Sequence, residues 1–299
     1  MSVFVQFIHP GKEHTEKTGK IWNKGEHRRK FLEVNGEYLD SLEGSVKQDT
    51  LYFWGEWEAK SDVTKISGNK KDLPHFVFKP FYSIPIGNVN TDPFVFGTQF
   101  YYCICKQGSY TSLRNLNKGD VILFGSCLRG NFVLDTVFVV KDWDEYKVSK
   151  IPELRDKYNQ PFYDVSLIPI TKRPIVPEKM IIEKDSFCLP ICLDDDTDSC
   201  PTHAVATYRI YKAVMYNERH NFNGIFSYSP CISKENKGEF GFERPIIKIP
   251  SIISDNLKQG IKNTSVADSK MTWNLVTKIV LKANLSIMIS NTLPSSKEK

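Results

Sequence analysis

Two glutamates and two tryptophans crowd into the run Leu51-Tyr52-Phe53-Trp54-Gly55-Glu56-Trp57-Glu58. A carboxylate set beside indoles loses water, its pKa rises, and it becomes suited to proton transfer. Read as one strand, the run sends Tyr52, Trp54, Glu56 and Glu58 to one face and Phe53 and Trp57 to the other. Glu56 lies between the indoles, farther than Glu58 from the polar exit at Lys60-Ser61-Asp62, and is the better candidate for catalysis. A solvated edge whose glutamates pair with lysines is the structural alternative. Asp135 is the third acid of interest, because it interrupts the apolar run from Val133 to Val140. A buried carboxylate must be paired, hydrogen-bonded or protonated, and acids so perturbed concentrate at functional sites. Pairing with Arg129 in the adjoining loop is the structural alternative.

Asn90-Thr91-Asp92-Pro93 has the composition of a turn. Its functional reading uses the Asn90 amide against a base edge and Asp92 to orient water. At the end of the first apolar run, His9-Pro10-Gly11-Lys12-Glu13-His14 offers Lys12 for phosphate and His9 as acid or donor. The pattern is not a helical H-E-x-x-H, so no metal is expected there. Cys188, Cys192, Cys200 and His203 carry zinc-type donors, but the central gap is shorter than in common zinc modules, which favours buried, inert thiols. Neither a metal nor a cofactor is expected. Phosphate-loop, dinucleotide and serine-elbow motifs are missing, which argues against nucleotide hydrolysis, dinucleotide redox chemistry and serine-esterase chemistry. Aromatics stand beside cations at Trp22 with Arg28-Arg29-Lys30, at Tyr101-Tyr102 with Lys106, and at Tyr208-Arg209. Base stacking next to a cationic groove is how single strands and extruded bases are held.

The elements that must position these residues read as strands. The spacing predicts strands over Val3–Ile8, over 94–105 with a bulge at Gly97, and in a hairpin joining 121–125 to 132–140 through Arg129-Gly130-Asn131. Further strands are predicted near 205–211 and 226–231. Short helices are predicted over 110–117 and 152–158, the second supported by a Glu153/Lys157 pair. A late amphipathic helix is predicted from Trp273, Val276, Ile279, Val280, Ala283 and Ile287, capped by Asp268 or Ser269. The tail after Pro294 reads as disordered. The proline-rich segment 168–177 reads as an extended boundary between a strand-rich region, 1–167, and a strand-rich extension, 168–299, packed on it as one globular unit. The expected class is α+β, a strand-rich mixed sheet core with few helices and a C-terminal amphipathic helix.

With 299 residues, 40% of them hydrophobic and 12% aromatic, the chain has ample material for a packed core. No apolar run is long enough for a membrane helix and the start lacks signal-peptide character, so a cytoplasmic protein with no membrane partner is expected. Seven cysteines, an odd number in no dense framework, fit reduced thiols. The net charge of +5 is concentrated at the ends, with seven Lys/Arg against three Glu in residues 12–30. Such patches suit phosphate backbones.

Two functional classes follow. In the first, Asp135, Glu56 and Glu58 supply carboxylates for breaking the bond between a base and its deoxyribose. Trp54 and Tyr101 stack on the extruded base, and Arg28, Arg29 and Lys30 hold flanking phosphates. In the second, the protein binds without chemistry: the run Leu113 to Gly125 with its following apolar strand resembles the small β-barrels of the PUA and EVE type, which read modified bases. Taken together, H-P-G-K-E-H, F-W-G-E-W-E, N-T-D-P-F-V-F-G, F-V-L-D-T-V-F-V-V and Gly241-Phe242-Glu243-Arg244-Pro245 resemble bacterial anti-phage DNA glycosylases. Those enzymes remove glucosylated hydroxymethylcytosine from phage genomes and leave abasic sites. The resemblance spans much of the first 140 residues and implies a base-modified DNA partner, no metal for the chemistry and a role in phage defence; no obligate protein partner is expected.

Overall fold

A computed structural model describes residues 2–14, 28–66, 74–84, 90–171, 207–235, 241–258 and 260–297. Cys188, Cys192, Cys200, His203 and Trp22 lie outside the described residues. The strand expected over Val3–Ile8 is realised in β1 (Ser2–His9), whose Val5 and Phe7 enter one core while Phe4 and Ile8 enter another. β1 is therefore buried on both faces. It runs parallel to β7 (Val121–Leu128) and antiparallel to β11 (Gly260–Val266). The predicted hairpin is present: Arg129 and Gly130, both with positive φ, turn β7 into β8 (Asn131–Tyr146). β9 (Tyr208–Ala213) and β6 (Tyr101–Tyr102) complete this six-stranded sheet in the order β11-β1-β7-β8-β9-β6.

The second sheet is built on β2 (Lys30–Leu39) and β3 (Lys47–Gly55), joined antiparallel. β3 divides its side chains as predicted, with Leu51 and Phe53 in one core and Tyr52 and Trp54 in the other. β10 (Ser229–Ser233) pairs with β3, and β12 (Ser286–Asn291) pairs with both β10 and β2, so these four strands close into a ring. β4 (Ser61–Lys65), β5 (Phe76–Tyr82) and β13 (Ser295–Ser296) extend the other edge. The strand-rich α+β class is thus observed. Later strands complete both sheets, so the segment after residue 168 interleaves with the earlier one rather than forming a layer of its own.

Several local expectations are corrected. Residues Ile168–Thr171 are helical, continuing Gln160–Phe162 and a π-helical turn, Tyr163–Leu167. The widened turn immediately precedes Pro169, whose missing amide an ordinary α-helix would not accommodate. Residues 172–177 lie outside the described residues. Gly97 has φ +82° in a turn, and Phe94 only bridges Tyr101, so no continuous strand spans 94–105. The bulge lies between Phe124 and Gly125 instead. Both short helices are 3-10 (Thr111–Arg114 and Val148–Lys157), and Lys157 reaches Asp144 at 2.6 Å rather than Glu153. The late helix, Ser269–Lys282, is capped by Asp268, whose side chain accepts from the Met271 amide. It buries Trp273, Val276 and Val280, but Asn284 at φ +56° ends it and Ile287 belongs to β12. The tail is ordered through Lys297, which donates its amide to Tyr82 beside β13.

Candidate functional site

The parallel register sets His9, the last residue of β1, beside Ser126 of β7. β8 brings Asp135 to the same place, as the unpaired extra residue between Leu134, which faces Gly125, and Thr136, which faces Phe124. β3 ends at Gly55, so Glu56 and Trp57 lie just past it, and Arg29 precedes β2 in a bridge to Glu13. The predicted single strand over 51–58 therefore stops short of both glutamates.

These residues and Arg244 form one buried ion network. Arg29 Nη1 donates to Glu56 Oε2 at 2.6 Å and its Nε donates to Asp135 Oδ2 at 3.0 Å. Arg244 Nη1 donates to Asp135 Oδ1 at 3.2 Å and to Ser126 Oγ at 3.1 Å, while Nη2 donates to the Gly11 carbonyl. His9 Nδ1 lies 3.3 Å from Glu56 Oε2, and its Nε2 lies 3.2 Å from Cys105 Sγ. Burial works against the Arg29 charge, but Glu56 and Asp135 outweigh it and raise its pKa. Burial lowers that of Arg244, against the pull of Asp135. Both guanidiniums stay charged, since arginine does not deprotonate in proteins. The acid expected to pair with Arg129 thus pairs with Arg29 and Arg244 instead.

Above this network lies a cleft of about 250 Å³ whose walls include Trp54, Arg244, Lys12, His75, Arg129 and Glu243. That is near the lower end of small-molecule sites, roughly 300–1,000 Å³, and suits one base-sized group rather than a longer segment. Trp54 donates Nε1 to the Phe242 carbonyl at 3.0 Å, and the Arg244 guanidinium sits 5.0 Å from its ring centre. Val133 and Arg244 line the cleft, whereas Asp135 is buried and meets it only through its ion pair with Arg244. No family model, curated protein or solved structure matches this chain. Function is therefore read from these residues themselves.

The structure brings together His9, Arg29, Glu56 and Asp135 below the cleft, with Trp54 and the exposed Lys12 in its walls. It separates the other candidates. Arg29 and Lys30 are only 2% and 3% exposed, so neither reaches a DNA backbone; Arg28 is half-buried and donates to the Glu13 carbonyl. Lys30 donates to Ala59 O and Ser61 Oγ, and burial pushes its pKa down to about 7 against the pull of Glu58. Glu58 accepts the Asn90 amide at 2.5 Å, away from the Arg29 network. Tyr101 is buried and stacked 4.3 Å from Phe162, leaving no open face for a base. Asp92 orients chain rather than water: its oxygens accept the amides of Cys103, Ile104 and Cys105, and burial pushes its pKa up to about 6. Asn90 is 8% exposed, and neither side-chain atom has a hydrogen-bond partner among the described residues. Among the described residues no three His, Cys, Asp or Glu side chains gather as a metal site. Sequence reasoning missed Arg244 and Ser126 as members of the site. Arg244 lies in the Gly-Phe-Glu-Arg-Pro string, which drew attention only as part of a resemblance; nothing in the sequence marks Ser126.

Proposed function

We propose that the protein cleaves the N-glycosidic bond of an extruded base in DNA, with the cleft beside Trp54 and Arg244 holding that base. The pairing of Asp135 with Arg244 behind the cleft wall is the observation that carries this reading. Glycosidic cleavage develops positive charge on the sugar and negative charge on the departing base. An ionised carboxylate and a guanidinium held together supply the complementary pair, the acid for the oxocarbenium and the cation as donor to the base. Glu56 holds Arg29, and Arg29 holds Asp135, so Glu56 acts in this scheme as a positioning residue. Lys12 and Arg129 at the rim offer phosphate contacts. The resemblance to anti-phage glycosylases adds a modified cytosine as the base and phage DNA as the partner.

A non-catalytic reader of modified bases is the second reading, favoured by charge balance: two acids face two guanidiniums, which suits a rigid binding wall as well as an activated acid. A single-turnover assay on modified and unmodified DNA separates the two by following released base and alkali-labile sites. Asp135→Asn is expected to lower the rate by about 10²-fold or more while DNA binding persists. Tight binding with no base released from any modified substrate would leave only the reader.

A further inference from the structure

Cys105, His9 and Glu56 stand in the order nucleophile, base and orienting acid. The Cys105 sulfur is 3.2 Å from His9 Nε2, and His9 Nδ1 is 3.3 Å from Glu56 Oε2. A carboxylate at Nδ1 selects the tautomer that carries its proton there, which leaves Nε2 as the acceptor facing the thiol. Each member is held in place. Phe7 packs edge-on against the His9 ring at 4.5 Å, and Arg29 fixes Glu56. The Cys105 backbone is pinned by Asp92, which accepts the amides of residues 103, 104 and 105, and by Tyr102, whose hydroxyl donates to the Cys105 carbonyl at 2.7 Å. The next residue, Lys106, holds φ at +60°, a strained conformation for a non-glycine and one that clusters at functional sites. Cys105 itself is half-buried.

We infer that Cys105, activated by His9 and Glu56, is a nucleophilic thiol that adds to the electron-poor carbon of a conjugated acceptor. Acyl transfer fits less well, because it requires amide donors at the developing oxyanion and Asp92 already occupies those of Cys103, Ile104 and Cys105. In the addition the thiol proton passes to His9 Nε2, the sulfur–carbon bond forms at the β-carbon, and the double-bond pair moves toward the carbonyl. The imidazolium then returns the proton to the α-carbon, so the thiol has added across the double bond with no oxidant or leaving group. This activity is separate from base excision and is measured without DNA.

The test treats the full chain with N-ethylmaleimide and follows adduct formation at each cysteine by peptide mass spectrometry from about pH 5 to 9, a range that brackets the ordinary thiol pKa. Cys127, equally half-buried on β7, is the internal reference. Cys105 is expected to react about 10-fold faster than Cys127 near neutral pH, with a rate that stays high at acid pH where an ordinary thiol slows. His9→Gln is expected to bring Cys105 to the Cys127 rate and leave Cys127 unchanged. Equal or slower reaction at Cys105 in the wild-type protein overturns the proposal, and this needs no variant to fold. Retention of the Cys105 rate in a folded His9→Gln protein overturns it as well.

Discussion

Arg29 and Asp135 meet through Nε and Oδ2 at 3.0 Å, with side chains only 3% and 5% exposed, and Glu56 takes the other arm of the same guanidinium. One cation therefore ties the end of β3 to the middle of β8, joining the two sheets beneath the cleft. Removing one partner of a buried ion pair strands the others as uncompensated charges. Arg29→Met is expected to cost about 3–5 kcal/mol in urea unfolding. The double change Arg29→Met, Glu56→Gln is expected to recover part of that loss, because Asp135 keeps Arg244 and no carboxylate or guanidinium is then left unpaired. An Arg29→Met protein as stable as the wild type would show that the network does not join the sheets.

Lys30 sets the alkaline limb of the stability curve. Its folded pKa of about 7 lies below the ordinary lysine value of 10.5, so between those values the unfolded chain binds a proton that the folded protein lacks. Stability then rises with pH from about 7 to about 10, by roughly 5 kcal/mol at most for this one group. Urea unfolding of wild type and Lys30→Met across that window checks the sign. The variant is expected to lose the rise, and identical slopes would remove Lys30 as its source.

Gly125 marks the bulge that aims Ser126 at Asp135. A Cβ placed there would stand 2.2 Å from the Val133 carbonyl and 2.6 Å from the Phe132 ring, with backbone on one side and a packed aromatic on the other. Gly125→Ala is expected to destabilise by about 2 kcal/mol or more through overpacking, and to lower any base-release activity in the folded fraction by displacing Ser126 and Asp135. Calorimetry and single-turnover kinetics on the same preparation read the two effects separately.

How much of this was legible in the sequence follows from which signals are local. The apolar run of β1, the two-residue alternation of β3, the Arg129-Gly130 turn and the Asp268 cap depend on near neighbours, and all were readable. That Glu56 and Asp135 were unusual was also readable, because an acid inside an apolar run is a local anomaly. Their shared partner Arg29 was not, since three adjacent cations look like a surface patch and only the folding of β2 against β3 turns two of them, Arg29 and Lys30, inward. Arg244 was hidden for a similar reason: it lies in an irregular segment that joins β8 through an isolated bridge of Ile246 to Val133 rather than as a strand. Pro169 misled because its helix-breaking tendency is a local rule, whereas the π-turn before it forms within a packed core.

Asn90 offers the sharpest separation of stability from function. Its amide oxygen and nitrogen have no hydrogen-bond partner among the described residues although Asn90 is only 8% exposed, while its backbone amide is held by Glu58. An unsatisfied buried amide costs about 1–3 kcal/mol, and replacing it with an apolar side chain of similar size recovers that cost. Asn90→Leu is therefore expected to raise unfolding stability by about 1 kcal/mol. If the amide is kept to engage a ligand's polar edge, the same change is expected to weaken binding of base-modified DNA by about 10-fold, as one lost hydrogen bond in a dry site would. Equilibrium binding and urea unfolding of the single variant decide the matter. A gain in stability with unchanged binding assigns Asn90 to the scaffold, and a loss of stability shows that a water or protein contact already satisfies it.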